Sequence, residues 1–285
     1  MHAPDLSGPT TQWKLTAPES YVLLNGPQAS GAEAFRLALM ELVGRGALRV
    51  VQVQQPGMLG LGRRVTVLAE GASPPADLDP TLESIWQVYT SLPVQTFPDG
   101  TVGVPVQELA RAVQQRYGSL DGYVALQVLP ALVERGLFRR EEYRKLFLFP
   151  ATRYVLTPDG RAARSELQGL IALGNQQVGG WAGQDPARAL TFMGLAGASM
   201  FLMPLLLSEV FALGDQGYLG DFDFSGLDRD ALSGIDTAFA DFSPAAESSG
   251  MAEASGGFDG GGFDGGGFDA GGDFSGGGDF GGGGC

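Results

Sequence analysis

A single imidazole stands in the whole chain, at His2. Ser–His and Cys–His nucleophiles, and most general bases, need an imidazole held against the reacting group near neutral pH. His-dependent catalysis is therefore excluded. A phosphate-binding loop of the GxxxxGK type is missing, since the two lysines are Lys14 and Lys145, and GMLGLGRR (57–64) lacks the strand-to-helix setting of a dinucleotide fingerprint. Glu141 and Glu142 are adjacent carboxylates, which read as solvated positions on a hairpin. No cofactor is expected, and the chain reads as a non-enzyme. The one cysteine, Cys285, can form no internal disulfide, and no CxxC pair offers a zinc site. It could join two chains in an oxidising compartment, or stay a free thiol.

Two stretches could hold ions. In DFDFSGLDRDAL (221–232), Asp221, Asp223, Ser225 and Gly226 take positions 1, 3, 5 and 6 of a calcium loop, but position 12 is Leu232 where a bidentate Glu belongs. Calcium is a weak candidate there, and no metal site is assigned. The stronger stretch is basic: from Arg135 to Arg164 there are eight Arg/Lys against three Asp/Glu around an apolar LFLFP (146–150). Positive charge beside aromatic residues suits phosphates, on a DNA backbone or on anionic lipid headgroups. Arg139, Arg140, Arg144, Lys145 and Arg153 are the expected lipid or phosphate contacts. The bland alternative is a solvated hairpin whose LFLF alternates into the core. Specific DNA binding is disfavoured, because GYVALQVLPALVERG offers base edges only Gln127 and Arg135.

Those residues must be positioned by repeated elements. LVGRGALRV (42–50) matches LVERGLFRR (132–140), and RRVTVLAEG (63–71) matches TRYVLTPDG (152–160), so two copies of one unit are expected. Each copy predicts an amphipathic helix ended by Arg-Gly, with Gly46 or Gly136 as left-handed cap, then two strands. PTLESIWQVYTSL and VPVQELARAVQQRYG add helices ahead of the second copy, and PDGRAARSELQGLIAL one behind it.

Three helices and a hairpin in this order resemble the winged-helix fold, and RYVLTPDGRAARSEL is similar to the junction between wing and last helix in bacterial winged-helix regulators. The likeness covers about 80–173 and implies fold more than function. The front copy, LTAPESYVLLNG...AFRLALMELVGRGALRV, resembles the opening of the Golgi phosphoprotein family of phosphoinositide binders. It is also similar to an uncharacterised bacterial membrane-protein family with glycine-rich, often cysteine-rich tails. The first of these implies anionic lipid headgroups or a protein as partner; the lone Cys285 departs from the second and weakens any thiol role.

LTFMGLAGASMFLMPLLLS (190–208) carries no charge over a length that would cross a bilayer. Leu190, Gly194, Ala198, Phe201, Pro204 and Leu207 mark the expected span, with small residues on one face; the alternative is a core helix interrupted at Pro204. Charge falls sharply here, with 16 Lys/Arg against 17 Asp/Glu through Ala187 and 2 against 15 from Arg188. Positive-inside logic puts the modules in the cytoplasm and the tail outside. The N-terminus shows no basic region followed by an apolar run, so no cleavable signal is expected. Phe258, Phe263, Phe268, Phe274 and Phe280 recur in glycine at neither helical nor strand period, which predicts a disordered tail, either a spacer or a weak assembly element.

The expected architecture is thus mainly α with small β-hairpins (α+β). It runs as a flexible N-terminus (1–14), a first winged-helix-like module (15–72), a linker (73–79), a second module (80–174), a linker (175–188), a transmembrane helix (189–213) and a disordered acidic tail (214–285). The function it implies is a membrane-anchored interaction protein binding protein or anionic lipid. The alternative is a soluble transcriptional regulator dimerising through the apolar segment.

Overall fold

The computed structural model describes residues 13–55, 62–72, 77–145, 149–203, 218–219, 222–223 and 229–240. Helix α1 (Ala17–Asn25) starts on a capping box, in which the Thr16 hydroxyl accepts the Glu19 N–H and the Glu19 carboxylate accepts the Thr16 N–H at 2.9 Å. Helix α2 (Gly31–Gly44) is capped by Ser30 and buries Phe35, Leu37, Ala38, Leu39, Leu42 and Val43 in the core. The β1 (Leu48–Gln55) and β2 (Arg63–Glu70) hairpin follows. Helix α3 (Pro80–Ser91), strands β3 (Gln95–Thr96) and β4 (Val102–Pro105), and helix α4 (Val106–Tyr117) lead into the second repeat. There α5 (Leu120–Tyr123) and α6 (Leu129–Glu134) are joined by a π-helical stretch, Val124–Val128. Pro130 lies just behind it and has no N–H to give the carbonyl four residues back, which accounts for the widened turn.

The repeat is real in backbone detail. In the first copy the N–H groups of Arg45, Gly46 and Ala47 bond to the carbonyls of Glu41, Val43 and Leu42. In the second, Arg135, Gly136 and Leu137 bond to Ala131, Val133 and Leu132. Gly46 and Gly136 have φ of 70° and 74°, so each helix ends in the same Schellman turn, at a position where a side chain would be strained. Each turn feeds a hairpin of eight paired positions, the second being β5 (Phe138–Lys145) with β6 (Phe149–Leu156).

The copies do not stand apart as separate modules. Strand β4 pairs with β2, placing Val67 opposite Pro105 and Leu68 opposite Val104, so the first hairpin becomes half of a four-stranded antiparallel sheet ordered β1-β2-β4-β3. The β5–β6 hairpin is left as its own two-stranded sheet. One core runs through both copies, from Val22 and Phe35 through Ile85, Val104 and Leu109 to Tyr123, Leu132 and Phe138. Of the two winged-helix-like modules expected, the first has its hairpin built into a four-stranded sheet, while the hairpin of the second stands alone.

Helix α7 (Pro158–Gln184) corrects the linker expected at 175–188. Its glycine at 174 is no break: a Cβ there would lie 2.5 Å from the Met203 sulfur and 3.1 Å from the Phe192 ring, so the missing side chain lets neighbouring helices close up. The chain turns only at Asp185, whose carboxylate accepts the Arg188 N–H and caps α8 (Pro186–Ala196).

The apolar run also needs correction. Among the described residues no helix is long and apolar enough to cross a membrane. The span expected from Leu190 ends at Ala196, Gly197 adopts φ 53°, and a 3-10 helix covers Gly197–Leu202. Phe192, Met193, Ala196, Ala198, Met200 and Phe201 are buried in the shared core, and the Ser199 hydroxyl lies 3.2 Å from that of Ser20 on α1. Gly194, expected on a small packing face, is exposed. Pro204 and Leu207 lie outside the described residues. A core supplies what hydrocarbon would have: full burial of a large apolar side chain stabilises by about 1.5–3 kcal/mol in either setting.

The region expected to be disordered from 214 contains ordered pieces. Strands β7 (Tyr218–Leu219) and β8 (Phe222–Asp223) pair, with Phe222 buried edge-on to Phe201 at 5.7 Å between ring centres. Helix α9 (Arg229–Ala240) buries Ile235, Ala238 and Phe239. It is tied to the first repeat by Arg36–Asp236 at 2.8 Å, Thr66 hydroxyl to Gly234 carbonyl at 3.1 Å, and Phe35 against Phe239. Residues 241–285 lie outside the described residues.

Candidate phosphate-binding hairpin and its buried root

Strand alternation splits the five expected contacts between two faces of the β5–β6 hairpin. On one face lie Arg139, Glu141 and Tyr143, with Arg153 directly opposite Glu141. Arg139 and Arg153 both pair with the Glu141 carboxylate, Arg153 at 2.8 Å, and the Arg153 guanidinium lies 5.7 Å from the centre of the Tyr143 ring. Hydrogen bonds from Arg153 and then Arg139 hold the Glu141 carboxyl below its usual range. Two guanidiniums share one carboxylate, so this face keeps an excess positive charge. The two arginine side chains remain 67% and 62% exposed, enough to be offered to a ligand.

The other face carries Arg140, opposite Tyr154, and Glu142, opposite Thr152. Arg140 is exposed and makes no ion pair among the described residues. Arg144 and Lys145 stand opposite Pro150 and Phe149 at the hairpin's far end. The structure thus gathers the five positions on one projecting element without converging them on a point, an arrangement that suits an extended anionic surface better than a single small anion.

Arg135, counted in the basic cluster, points elsewhere. Its guanidinium donates to Glu19 at 3.1 Å and pairs with Asp79, joining the root of the second hairpin to the starts of α1 and α3. Its repeat-mate Arg45 pairs instead with Glu41 of its own helix at 2.7 Å. Residue 131, the counterpart of Glu41, is alanine, so Arg135 has no such neighbour and reaches across the copies. Glu41 in turn accepts the Ala17 N–H at 2.6 Å, and the Tyr123 hydroxyl donates to the Thr81 carbonyl at 3.3 Å.

Burial, with Asp79 alongside, pushes the Glu19 carboxyl up to about 7 despite the opposing pull of Thr16 and Arg135. Burial likewise raises Glu41, and it holds the Tyr123 phenol well above its ordinary value. These groups were missed as a cluster in the sequence, although two local signals mark them: the Thr16-to-Glu19 capping box and the Asp79-Pro80 helix start. With Arg135 occupied, the helix expected to face DNA keeps only Gln127, which sits in the π-helical stretch.

Of the calcium candidate, Asp223 lies in β8 opposite Tyr218, while Asp221 and Ser225 fall outside the described residues. Among the described residues no group of three or more His, Cys, Asp or Glu could hold a metal.

Fold and site together define an α+β protein in which a cationic hairpin projects from a two-copy helical core. The model of the Golgi phosphoprotein 3 (GPP34) family matches residues 38–210, more than half of the chain, and the chain belongs to that family. The match takes in the second half of α2, both hairpins and α8, and leaves out α1 and α9. No curated protein matches the chain.

Proposed function

We propose that this protein is a non-enzymatic adaptor whose β5–β6 hairpin binds anionic lipid headgroups, with Arg139, Arg140, Arg144, Lys145 and Arg153 as phosphate contacts and the rest of the body free to engage a protein. The observation that carries this reading is a hairpin outside the main sheet whose arginines stay exposed after their one shared carboxylate is counted. Family membership supports the same kind of ligand. Attachment to the membrane is peripheral in this reading and faces the cytoplasmic leaflet, where anionic headgroups attract a basic surface by about 1 kcal/mol per Lys or Arg.

The test is flotation of the full chain with vesicles of neutral phosphatidylcholine, alone or with about one-fifth phosphatidylserine or phosphoinositide. Binding that needs anionic lipid, falls with salt and drops about tenfold or more in the triple variant R139S/R140S/R153S supports the reading. Equal recovery with neutral and anionic vesicles, or no effect of the triple variant, overturns it.

A further inference from the structure

We infer that the Phe-Asp-Gly segment of this same chain, residues 256–285, seats on the β5–β6 hairpin and occupies the surface that would take anionic lipid, so that membrane binding is regulated by the protein's own tail. The inference rests on the anionic-lipid reading and adds to it a competitor built into the chain.

Charge complementarity is the first argument. Residues 241–285 carry eight Asp/Glu and no Lys or Arg, whereas the two strands of the hairpin carry five Arg/Lys against two Glu. The second argument is the pairing of residue types. Every Phe from 258 onward has an Asp beside it, as in Phe258-Asp259, Phe263-Asp264 and Asp279-Phe280. The hairpin offers the matching chemistry in Arg153 beside the exposed ring of Tyr143 and in Arg140, which is exposed and makes no ion pair among the described residues. An arginine takes a carboxylate in its fork while its flat face takes an aromatic ring, so a Phe-Asp pair can satisfy one guanidinium in both ways.

The third argument is tethering. Helix α9 is fixed to the first repeat through Asp236, Gly234 and Phe239 and ends at Ala240, so the 45 residues beyond it start from a fixed point on the body. Extended, they could reach up to about 150 Å. A tether of this kind holds its end at an effective concentration on the order of millimolar, enough for individually weak contacts repeated five times to populate the bound form. A charged bilayer, which presents many phosphates at once, would displace it.

The single Cys285 makes the test direct. A nitroxide spin label on Cys285 of the full, isotopically labelled chain should broaden the amide signals of residues 139–143 and 152–154, and the broadening should vanish in the full-length variant D259N/D264N/D269N/D273N/D279N. That variant should also bind anionic vesicles about 5- to 10-fold more tightly than the unaltered chain, with the gap closing at high salt. Absence of broadening, or equal vesicle affinity of the two chains, overturns the inference. If neither chain binds anionic vesicles, the lipid reading itself falls and takes the competition with it, a result recognisably different from equal binding. Broadening that survives only in a mixture of labelled and unlabelled chains would assign the contact to a second copy and overturn the intramolecular form.

Discussion

The two hairpins leave their helices through the same Schellman turn and extend for the same eight paired positions, yet one is built into the body and the other projects from it. The first is braced along its length. Strand β4 pairs with β2, α9 lies over it, and Val53 and Val67 bury with Phe97 in a small second core. The second is held at its base, where Phe138 is buried, Tyr154 and Leu156 are half-buried, and Arg135 reaches Glu19 and Asp79. The difference teaches that the repeat specifies the exit and the register, while the strand residues decide the fate. Valines at alternate positions of β1 and β2 recruit a sheet; Glu141 and Tyr143, at the places of Val51 and Val53, stay partly or largely in solvent.

The largest effect should come from removing the support behind the braced copy. Phe201 fills the space that Gly44 leaves open, so close that a Cβ on Gly44 would meet its ring at 2.6 Å. Phe201→Ala should cost about 3–5 kcal/mol in chemical denaturation, as a fully buried aromatic does. A change of less than 1 kcal/mol would break the claim that the apolar segment belongs to the core. Next is Gly103→Val in β4, where a side chain would collide with the Leu68 carbonyl at 2.3 Å. It should destabilise by about 3 kcal/mol and remove the distinction between the hairpins by detaching β2 from β4. Hydrogen exchange would register this as protection lost at Val67 and Leu68 while Phe138 and Leu156 keep theirs.

The root of the free hairpin should answer to pH. Glu19 is shifted from 4.5 to about 7, and a carboxyl raised on folding adds stability that is fully present below about 4.5 and lost as pH rises through about 7. Compared with Glu19→Gln, the unaltered protein should lose up to about 3 kcal/mol between pH 4.5 and 8. The raised Glu41 acts in the same direction but is present in both chains, so it cancels in the difference. Parallel stability curves would remove Glu19 as the titrating group.

How much of this was legible varies with the range of the interaction involved. The repeat, the Arg-Gly exits at Gly46 and Gly136 and the basic character of β5 are local patterns, and the sequence carried them openly. Which arginines would be consumed was not legible, because Arg135 and Arg139 are four residues apart and look alike until α1 and α3 bring up Glu19 and Asp79. The apolar run at 190–208 met the length criterion for a membrane span, and only the packing of its described part against Ser20 and Gly44 distinguishes core from bilayer. Helix α9 was hidden differently. Ile235, Ala238 and Phe239 have helical spacing, but the glycine and aspartate around them dominated the composition of the segment.

The smallest effect on stability should give the sharpest view of the free hairpin. Glu141 sits between Arg139 and Arg153 on an exposed strand pair, where solvent screening leaves ion pairs worth little to stability. Glu141→Gln should therefore leave the denaturation midpoint nearly unchanged. It should nonetheless release both guanidiniums and add one positive charge to that face, raising the affinity for anionic vesicles several-fold and steepening its fall with salt. A contrasting substitution in the braced hairpin, Thr66→Gln, removes the hydroxyl that bonds the Gly234 carbonyl and should loosen α9 with no gain in vesicle binding. If both variants bind vesicles equally, the two hairpins differ in packing alone; if only Glu141→Gln gains, the free hairpin's exposure is tied to its charge.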